Sequence, residues 1–378
     1  TQNKSIILLF LAFLGVIFFE KLETILEKVW HSLIFNPQKS LLLQPSVPSL
    51  IISPTQMTKQ QDKMKKVVLF LALILALIYC PVNAAKRMTS IEPVGEIPFT
   101  IGDDGRIYVT AFVNGSDSLN FLVDTGATTI TLNTNSRKLK GLIHEKDTVD
   151  NMGTTGFNKV TASHDNSLTI GTIQYDKAEC VNIPFSQDMW DGVLGLNGLS
   201  AFNIEINYDK HKIYCYSKDS ALVLMSESYV VLPFAYKYGV PFIEIPIKLN
   251  ESTYRLQLEV DTGSDRIIDL STTFVNRNRL LGTKKPFAIS RITSSDGGSG
   301  ELKNVYFDEV RVGQYVLPKI PGAFSTLNSG MLNEKDVDGM IGNNFLKRFN
   351  MLIDFKSKKM YLQPNNLMYT PFYDFLVK

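Results

Sequence analysis

Phe121-Leu122-Val123-Asp124-Thr125-Gly126-Ala127-Thr128-Thr129 carries an apolar strand into Asp-Thr-Gly, and a second apolar run, Ile130-Thr131-Leu132, follows the turn. The phrase returns as Leu256-Gln257-Leu258-Glu259-Val260-Asp261-Thr262-Gly263-Ser264. One Asp-Thr-Gly reads equally well as an ordinary turn. Two of them at matching places in an internal repeat do not.

The repeat extends outward from these two stretches. Pro98-Phe99 matches Pro233-Phe234 at an offset of 135, and Asp124 matches Asp261 at 137. Gly171 matches Gly313 at 142, and Asp191-Gly192 matches Asp338-Gly339 at 147. Phe202-Asn203 and Tyr214 then match Phe349-Asn350 and Tyr361, still at 147. The offset only grows, as slightly longer hairpin loops in the second copy would make it. Two homologous lobes follow, 94–216 and 230–364, joined by a linker at 217–229 and trailed by a tail at 365–378.

From Val94 onward the text is all-β. Ile107–Val113, Leu119–Val123, Val240–Leu249 and Tyr254–Val260 are rich in β-branched and aromatic residues. Gly102-Asp103-Asp104-Gly105, Asn114-Gly115-Ser116-Asp117 and Asn250-Glu251-Ser252 separate such runs with turn chemistry. Helical periodicity is scarce; Leu199–Asn203 and Phe345–Phe349 make at most single turns. Many short strands with hairpin turns imply a sandwich or barrel.

The bulk numbers exclude several functions. With 378 residues and a formal charge of +2, the chain has room for two or three domains and no electrostatic case for nucleic acid. Three cysteines and four histidines, without Cys-x-x-Cys or His-Glu-x-x-His, support neither a metal site nor a cofactor.

Upstream of the lobes, residues 1–63 read as an N-terminal extension that the mature protein either keeps or lacks. Ile6–Phe19 is apolar for 14 residues, short of the ~20 that span a bilayer. Met64 opens a clearer pattern. Lys65-Lys66 form a positive n-region, Val67–Tyr79 an apolar h-region, and Val82-Asn83-Ala84 a small-residue cleavage site. Residues 64–84 therefore read as a secretory signal peptide cut after Ala84, and the alternative is a short membrane anchor. The first reading puts the mature domain outside the cytoplasm, periplasmic or secreted. The second ties it to a membrane.

Two further motifs recur in each lobe. Asn151-Met152-Gly153-Thr154-Thr155-Gly156-Phe157 and Ser294-Ser295-Asp296-Gly297-Gly298-Ser299-Gly300 are Gly-rich, and read either as surface hairpin tips or as mobile flaps over a cleft. Gly153, Gly156, Phe157, Gly297 and Gly298 are the residues a flap would bring to a substrate. Asp191-Gly192-Val193-Leu194-Gly195 and Asp338-Gly339-Met340-Ile341-Gly342 place two apolar residues before a glycine, the mark of a buried strand that another backbone approaches closely.

In this doubled, ordered motif set the chain resembles aspartic proteases of the pepsin and retropepsin superfamily. The resemblance covers 94–364 and is nearest to bacterial secreted proteins in which two retropepsin-like units are fused. It implies a bilobal acid-protease fold, with two β-barrel-like lobes, a cleft between them, and a monomer that is an intramolecular pseudo-dimer. It also implies that Asp124 and Asp261 are catalytic. Thr125 and Thr262 would tie the two loops together. Gly126 and Gly263 would let backbone amides approach, and Ala127 and Ser264 fill the next position.

The chemistry asks for the same arrangement. Hydrolysing a peptide without metal or nucleophile takes one carboxylate to activate water and one carboxylic acid to protonate the carbonyl oxygen. Two carboxyls pressed together share a proton, because both cannot ionise cheaply, and they titrate as a pair. Which aspartate is base and which acid stays open at this level.

Some positions depart from the family pattern. Asp265, Arg266 and Asp269 follow the second motif where the first has Thr128, Thr129 and Leu132; such charge either shifts the working pH of the pair or, the favoured reading, faces solvent. The first flap offers Phe157 where pepsins carry tyrosine. Trp190 reads as core. Cys180 and Cys215 are the cysteines of the mature lobes, and their pairing is open. The sequons at Asn114 and Asn250 sit at equivalent hairpin tips, which turn chemistry alone explains.

The sequence thus points to an aspartic endopeptidase acting on peptides or proteins. The rivals are a catalytically silent peptide-binding protein of the same fold and a cell-envelope interaction module.

Overall fold

A computed structural model describes residues 92–186, 189–219 and 229–372. The expected extension 1–63, the signal peptide 64–84, most of the linker and the end of the tail lie outside the described residues. Among those described, no helix is long and apolar enough to cross a membrane.

The repeat appears as ten strands followed by ten equivalent strands. The first set is β1 (Gly95–Ile101), β2 (Ile107–Val113), β3 (Leu119–Val123), β4 (Ile130–Asn133), β5 (Glu145–Met152), β6 (Phe157–Ile170), β7 (Ile173–Ile183), β8 (Gly192–Leu194), β9 (Asn203–Asn207) and β10 (Lys212–Tyr216). The second is β11 (Val230–Lys237), β12 (Val240–Leu249), β13 (Ser252–Asp261), β14 (Ile268–Leu270), β15 (Ala288–Thr293), β16 (Ser299–Val312), β17 (Tyr315–Ser325), β18 (Gly339–Gly342), β19 (Phe349–Asp354) and β20 (Lys359–Pro364).

Among the described residues three α-helices interrupt them: α1 (Leu196–Leu199), α2 (Thr272–Arg277) and α3 (Asn343–Leu346). The first and third begin a few residues before the single turns expected from sequence. Helix α2 gave no periodic signal, because six residues are under two turns. Its start is fixed by Ser271, whose Oγ accepts a hydrogen bond from the Phe274 amide at 3.1 Å.

Pairing divides the strands into three sheets. In the first half β2, β3, β8, β4, β7 and β6 follow one another, and β6 pairs back onto β2, so the sheet closes on itself. The second half repeats this order with β12, β13, β18, β14, β17 and β16, and closes the same way. The third sheet runs β1-β10-β9-β19-β20-β11 and joins the halves at its centre, where Ile206 faces Met351 and Ile204 faces Ile353. All four of these side chains are buried, so one hydrophobic core runs through both halves.

Alternation explains most strands. In β2, Ile107, Val109, Ala111 and Val113 are buried and the residues between them are not. The ends of β3 and β13 differ, being covered on both faces: Phe121, Leu122 and Val123 in one, Leu258, Glu259 and Val260 in the other. The cause is the parallel partner. β3 pairs with β8 and β13 with β18, which carry the apolar-apolar-Gly motifs. There the close approach expected of the glycines occurs: a Cβ on Gly195 would overlap the Thr129 carbonyl, and one on Gly342 the Arg266 carbonyl. Each Asp-Thr-Gly loop is thus anchored at the end of a doubly covered strand.

Cys180 and Cys215 are buried free thiols, and burial pushes both up to about 12. Asn114 adopts a left-handed backbone (φ 50°) and its amide donates to the Leu142 carbonyl and to Asn166, a structural role in the turn.

Candidate active site

The two Asp-Thr-Gly loops meet tip to tip through their threonines. The Thr125 amide donates to Thr262 Oγ1 at 3.0 Å, and the Thr262 amide donates to Thr125 Oγ1 at 3.1 Å. Each hydroxyl then donates onward to the strand of the opposite loop, Thr125 Oγ1 to the Val260 carbonyl at 2.6 Å and Thr262 Oγ1 to the Val123 carbonyl at 2.9 Å. Both threonines are fully buried. Four hydrogen bonds related by a local two-fold axis therefore lock the loops, and none is made to solvent.

This lock presses Asp124 and Asp261 together as a hydrogen-bonded pair. Asp124 Oδ1 accepts the Gly126 and Ala127 amides at 2.7 and 3.1 Å, and Asp261 Oδ1 accepts the Ser264 amide at 3.0 Å. A Cβ on Gly263 would collide with the Asp124 carboxyl, and one on Gly126 would press on that of Asp261. Each loop's glycine is thus the floor under the other loop's aspartate, which is the physical reason both must be glycine.

Burial raises the proton affinity of both carboxyls, and they titrate as a pair. Asp124 is raised by burial, offset by its hydrogen bonds and by the Arg106 guanidinium. Asp261 lies well above the carboxylate range through burial, the Asp124 charge and the charge of Glu259. The two therefore share one proton, because both cannot ionise cheaply side by side.

The pair lies at the floor of a cleft of about 1160 Å³. One wall includes Leu122, Phe185, Trp190 and Val193; the other includes Val240, Glu259, Met331 and Met340. The roof is formed by two hairpins, β5–β6 and β15–β16, and both Gly-rich tips take part. Thr154 N donates to Ser294 Oγ at 2.7 Å, Thr155 Oγ1 to Asp296 Oδ1 at 2.8 Å, and Gly156 N to Asp296 Oδ2 at 3.0 Å. Burial alone would raise the Asp296 carboxyl, but hydrogen bonds from Ser294, Thr155 and the surrounding amides outweigh it and hold it low.

The flap residues expected from sequence separate by role. Gly153 and Gly297 line the cleft. Gly156 and Gly298 lie against Asp296 in the tip-to-tip contact. Phe157, 60% exposed, is not among the cleft-lining residues, because strand alternation after the tip turns it away. Trp190 is buried, as expected of core, and is also cleft wall, with the Arg106 guanidinium 4.8 Å over its ring.

The charges after the second motif need correction. Asp265 is exposed as expected, but Asp269 is 1% exposed and pairs with Arg266 at 2.9 Å. Arg266 also donates to the side chain of Asn304, so the pair sits in a polar pocket behind the loop.

Three residues escaped the sequence reading. Arg106 bridges the halves, donating to the Gly263 carbonyl at 3.2 Å while paired with Asp104 at 2.7 Å; it lies just after an ordinary-looking turn and gave no local signal. Asp296 reads as turn chemistry until the partner tip is seen. Glu259 was legible in principle: two residues before Asp261 on a strand, it must share that residue's face. Its counterpart is Leu122.

Asp191 and Asp338 hold the strands behind the site. Asp191 accepts the Asn120 amide at 2.9 Å and Ser136 Oγ at 2.6 Å. Asp338 accepts the Gln257 amide at 3.0 Å and pairs with Arg277 at 2.9 Å.

Residues 109–197 match the family model described as aspartyl protease. That stretch contains the first Asp-Thr-Gly and its apolar-Gly strand, and the second half repeats both around the same pair. This part of the chain is similar to aspartyl proteases. Among solved structures, an aspartic proteinase from Irpex lacteus is similar at 14% identity and a TM-score of 0.49, over 73% of this chain and 98% of that one. No curated protein is significantly similar to the sequence. The stretch so matched carries Asp124 and Thr125, and the grip between Thr125 and Thr262 joins it to the second half.

Proposed function

We propose that the protein is an aspartic endopeptidase that hydrolyses peptide bonds with Asp124 and Asp261. The observation that carries this reading is the hydrogen-bonded carboxyl pair, held by reciprocal threonine bonds at the floor of a roofed cleft. The ionised member of the pair takes a proton from water as the water oxygen attacks the scissile carbonyl carbon. Its protonated partner donates a proton to the carbonyl oxygen, giving a neutral tetrahedral diol. The carboxyl that took the water proton then passes it to the amide nitrogen, the other takes one from a diol hydroxyl, and the C–N bond breaks to leave a carboxylic acid and an amine. Thr125, Gly126, Ala127, Thr262, Gly263 and Ser264 hold the pair in place.

The substrate is a peptide or unfolded protein segment in extended form. A cleft between two lobes under paired β-hairpins offers strand edges to such a chain. No metal or cofactor enters this mechanism. The chain acts as a monomer, outside the cytoplasm after cleavage near Ala84, or tethered if the N-terminal segment is retained. The signal-like pattern from Met64 supports the first of these.

The test compares the purified protein with Asp124→Asn and Asp261→Asn on a mixed peptide library from pH 3 to 8, with and without a statine-type transition-state analogue. The expected result is cleavage that either substitution abolishes and the analogue blocks. Peptide binding without turnover at any pH, in folded protein, would leave the silent peptide-binding reading in its place.

A further inference from the structure

The two halves differ where their symmetry predicts sameness. On the face of β3 that carries Asp124, the preceding residue is Leu122, packed against Trp190 and Val193. On the matching face of β13, the residue preceding Asp261 is Glu259. It is 5% exposed, lines the cleft, and its Oε1 lies beside Gly126 at the floor. Its cross-strand neighbours are Phe242 and Met340, which offer no charge.

No hydrogen bond or ion pair to the Glu259 carboxyl occurs among the described residues. The nearby cations are committed elsewhere: Arg106 pairs with Asp104, and Arg266 with Asp269. A buried carboxyl without a donor is costly, and one removed partner-side costs more than a well-packed apolar side chain of the same shape. Leucine at 122 shows that the fold accepts such a side chain at this position. Glu259 therefore has no structural reason to be an acid, and the missing partner is aimed for from the cleft.

We infer that Glu259 is a specificity-determining residue that receives a lysine or arginine side chain of the peptide on one side of the scissile bond, while the Leu122 wall receives an apolar side chain on the other. The inference rests on the proposed reading of the cleft as a peptide site. A cation entering beside Glu259 supplies the missing partner and draws off its proton, which burial and the Asp124 charge otherwise hold up to about 8. Leu122, Trp190 and Val193 make no such offer. The cut should fall between an apolar and a basic residue.

The experiment scans lysine, arginine, norleucine and glutamate through the positions flanking the scissile bond of a cleaved peptide. It uses the wild type, Glu259→Gln and Glu259→Leu, and reads kcat/KM and, by calorimetry with Asp124→Asn, affinity. Lysine or arginine should exceed norleucine by about tenfold or more at one flanking position, the scale of a hydrogen bond to a charged group. Glu259→Gln should lose that ratio and Glu259→Leu should invert it. Cleavage or binding with no cationic preference at any flanking position, or a preference unchanged in both variants, overturns this inference and leaves the protease reading standing. Neither cleavage nor binding of any peptide overturns both.

Discussion

Glu259 carries a consequence for stability that needs no substrate. Its carboxyl is raised from 4.5 to about 8 by burial, with the Asp124 charge adding to it. The native state thus holds a proton that the unfolded chain releases above pH 4.5, and stability falls as pH rises through that window. At about 1.4 kcal/mol per pH unit, the loss between pH 4.5 and 8 reaches roughly 5 kcal/mol. Glu259→Gln removes the titrating group while keeping its shape. Urea unfolding of both proteins from pH 4 to 9 is the assay, with midpoints compared at constant slope. The two curves should nearly coincide at pH 4, and the variant should gain by several kcal/mol at pH 8 to 9. Parallel curves across the window would refute the reasoning, since they would mean that Glu259 titrates alike in folded and unfolded chains.

The threonine grip predicts that Thr125→Val strips two of the four loop bonds and strands the buried Thr262 amide, costing about 1–3 kcal/mol and most of the turnover. Thr125→Ser should keep both, and thermal unfolding with kcat separates the two variants. Arg106→Gln removes a cation that favours ionised Asp124, so the acid limb of the kcat/KM profile should move to higher pH; a limb that stays put would mean that Arg106 only braces Trp190 and Gly263. Asp296→Ala cuts the bonds to Thr155 and Gly156 at the roof. Faster hydrogen exchange at 153–156 and 294–298, with KM raised more than kcat, is expected.

Much of this was legible in the chain itself. Period-two alternation and turn residues define most strands, because a side chain's face in a strand depends only on local geometry. The doubled Asp-Thr-Gly and apolar-Gly motifs name both aspartates, their threonines and the glycines beneath them, because an internal repeat exposes which local departures from plain strand chemistry recur. Phe157 was misplaced for a local reason too, one step of alternation beyond the tip.

What the sequence by itself could not determine is whatever depends on residues far apart meeting. Asp269 looks like a surface charge until Arg266 and Asn304 enclose it. Arg106 reaches Gly263 across 157 positions, and Asp296 finds its donors in the opposite hairpin. The shared proton of Asp124 and Asp261 is of the same kind. Electrostatic energy depends on distance and on the exclusion of water, and both are set only when the two halves close on each other.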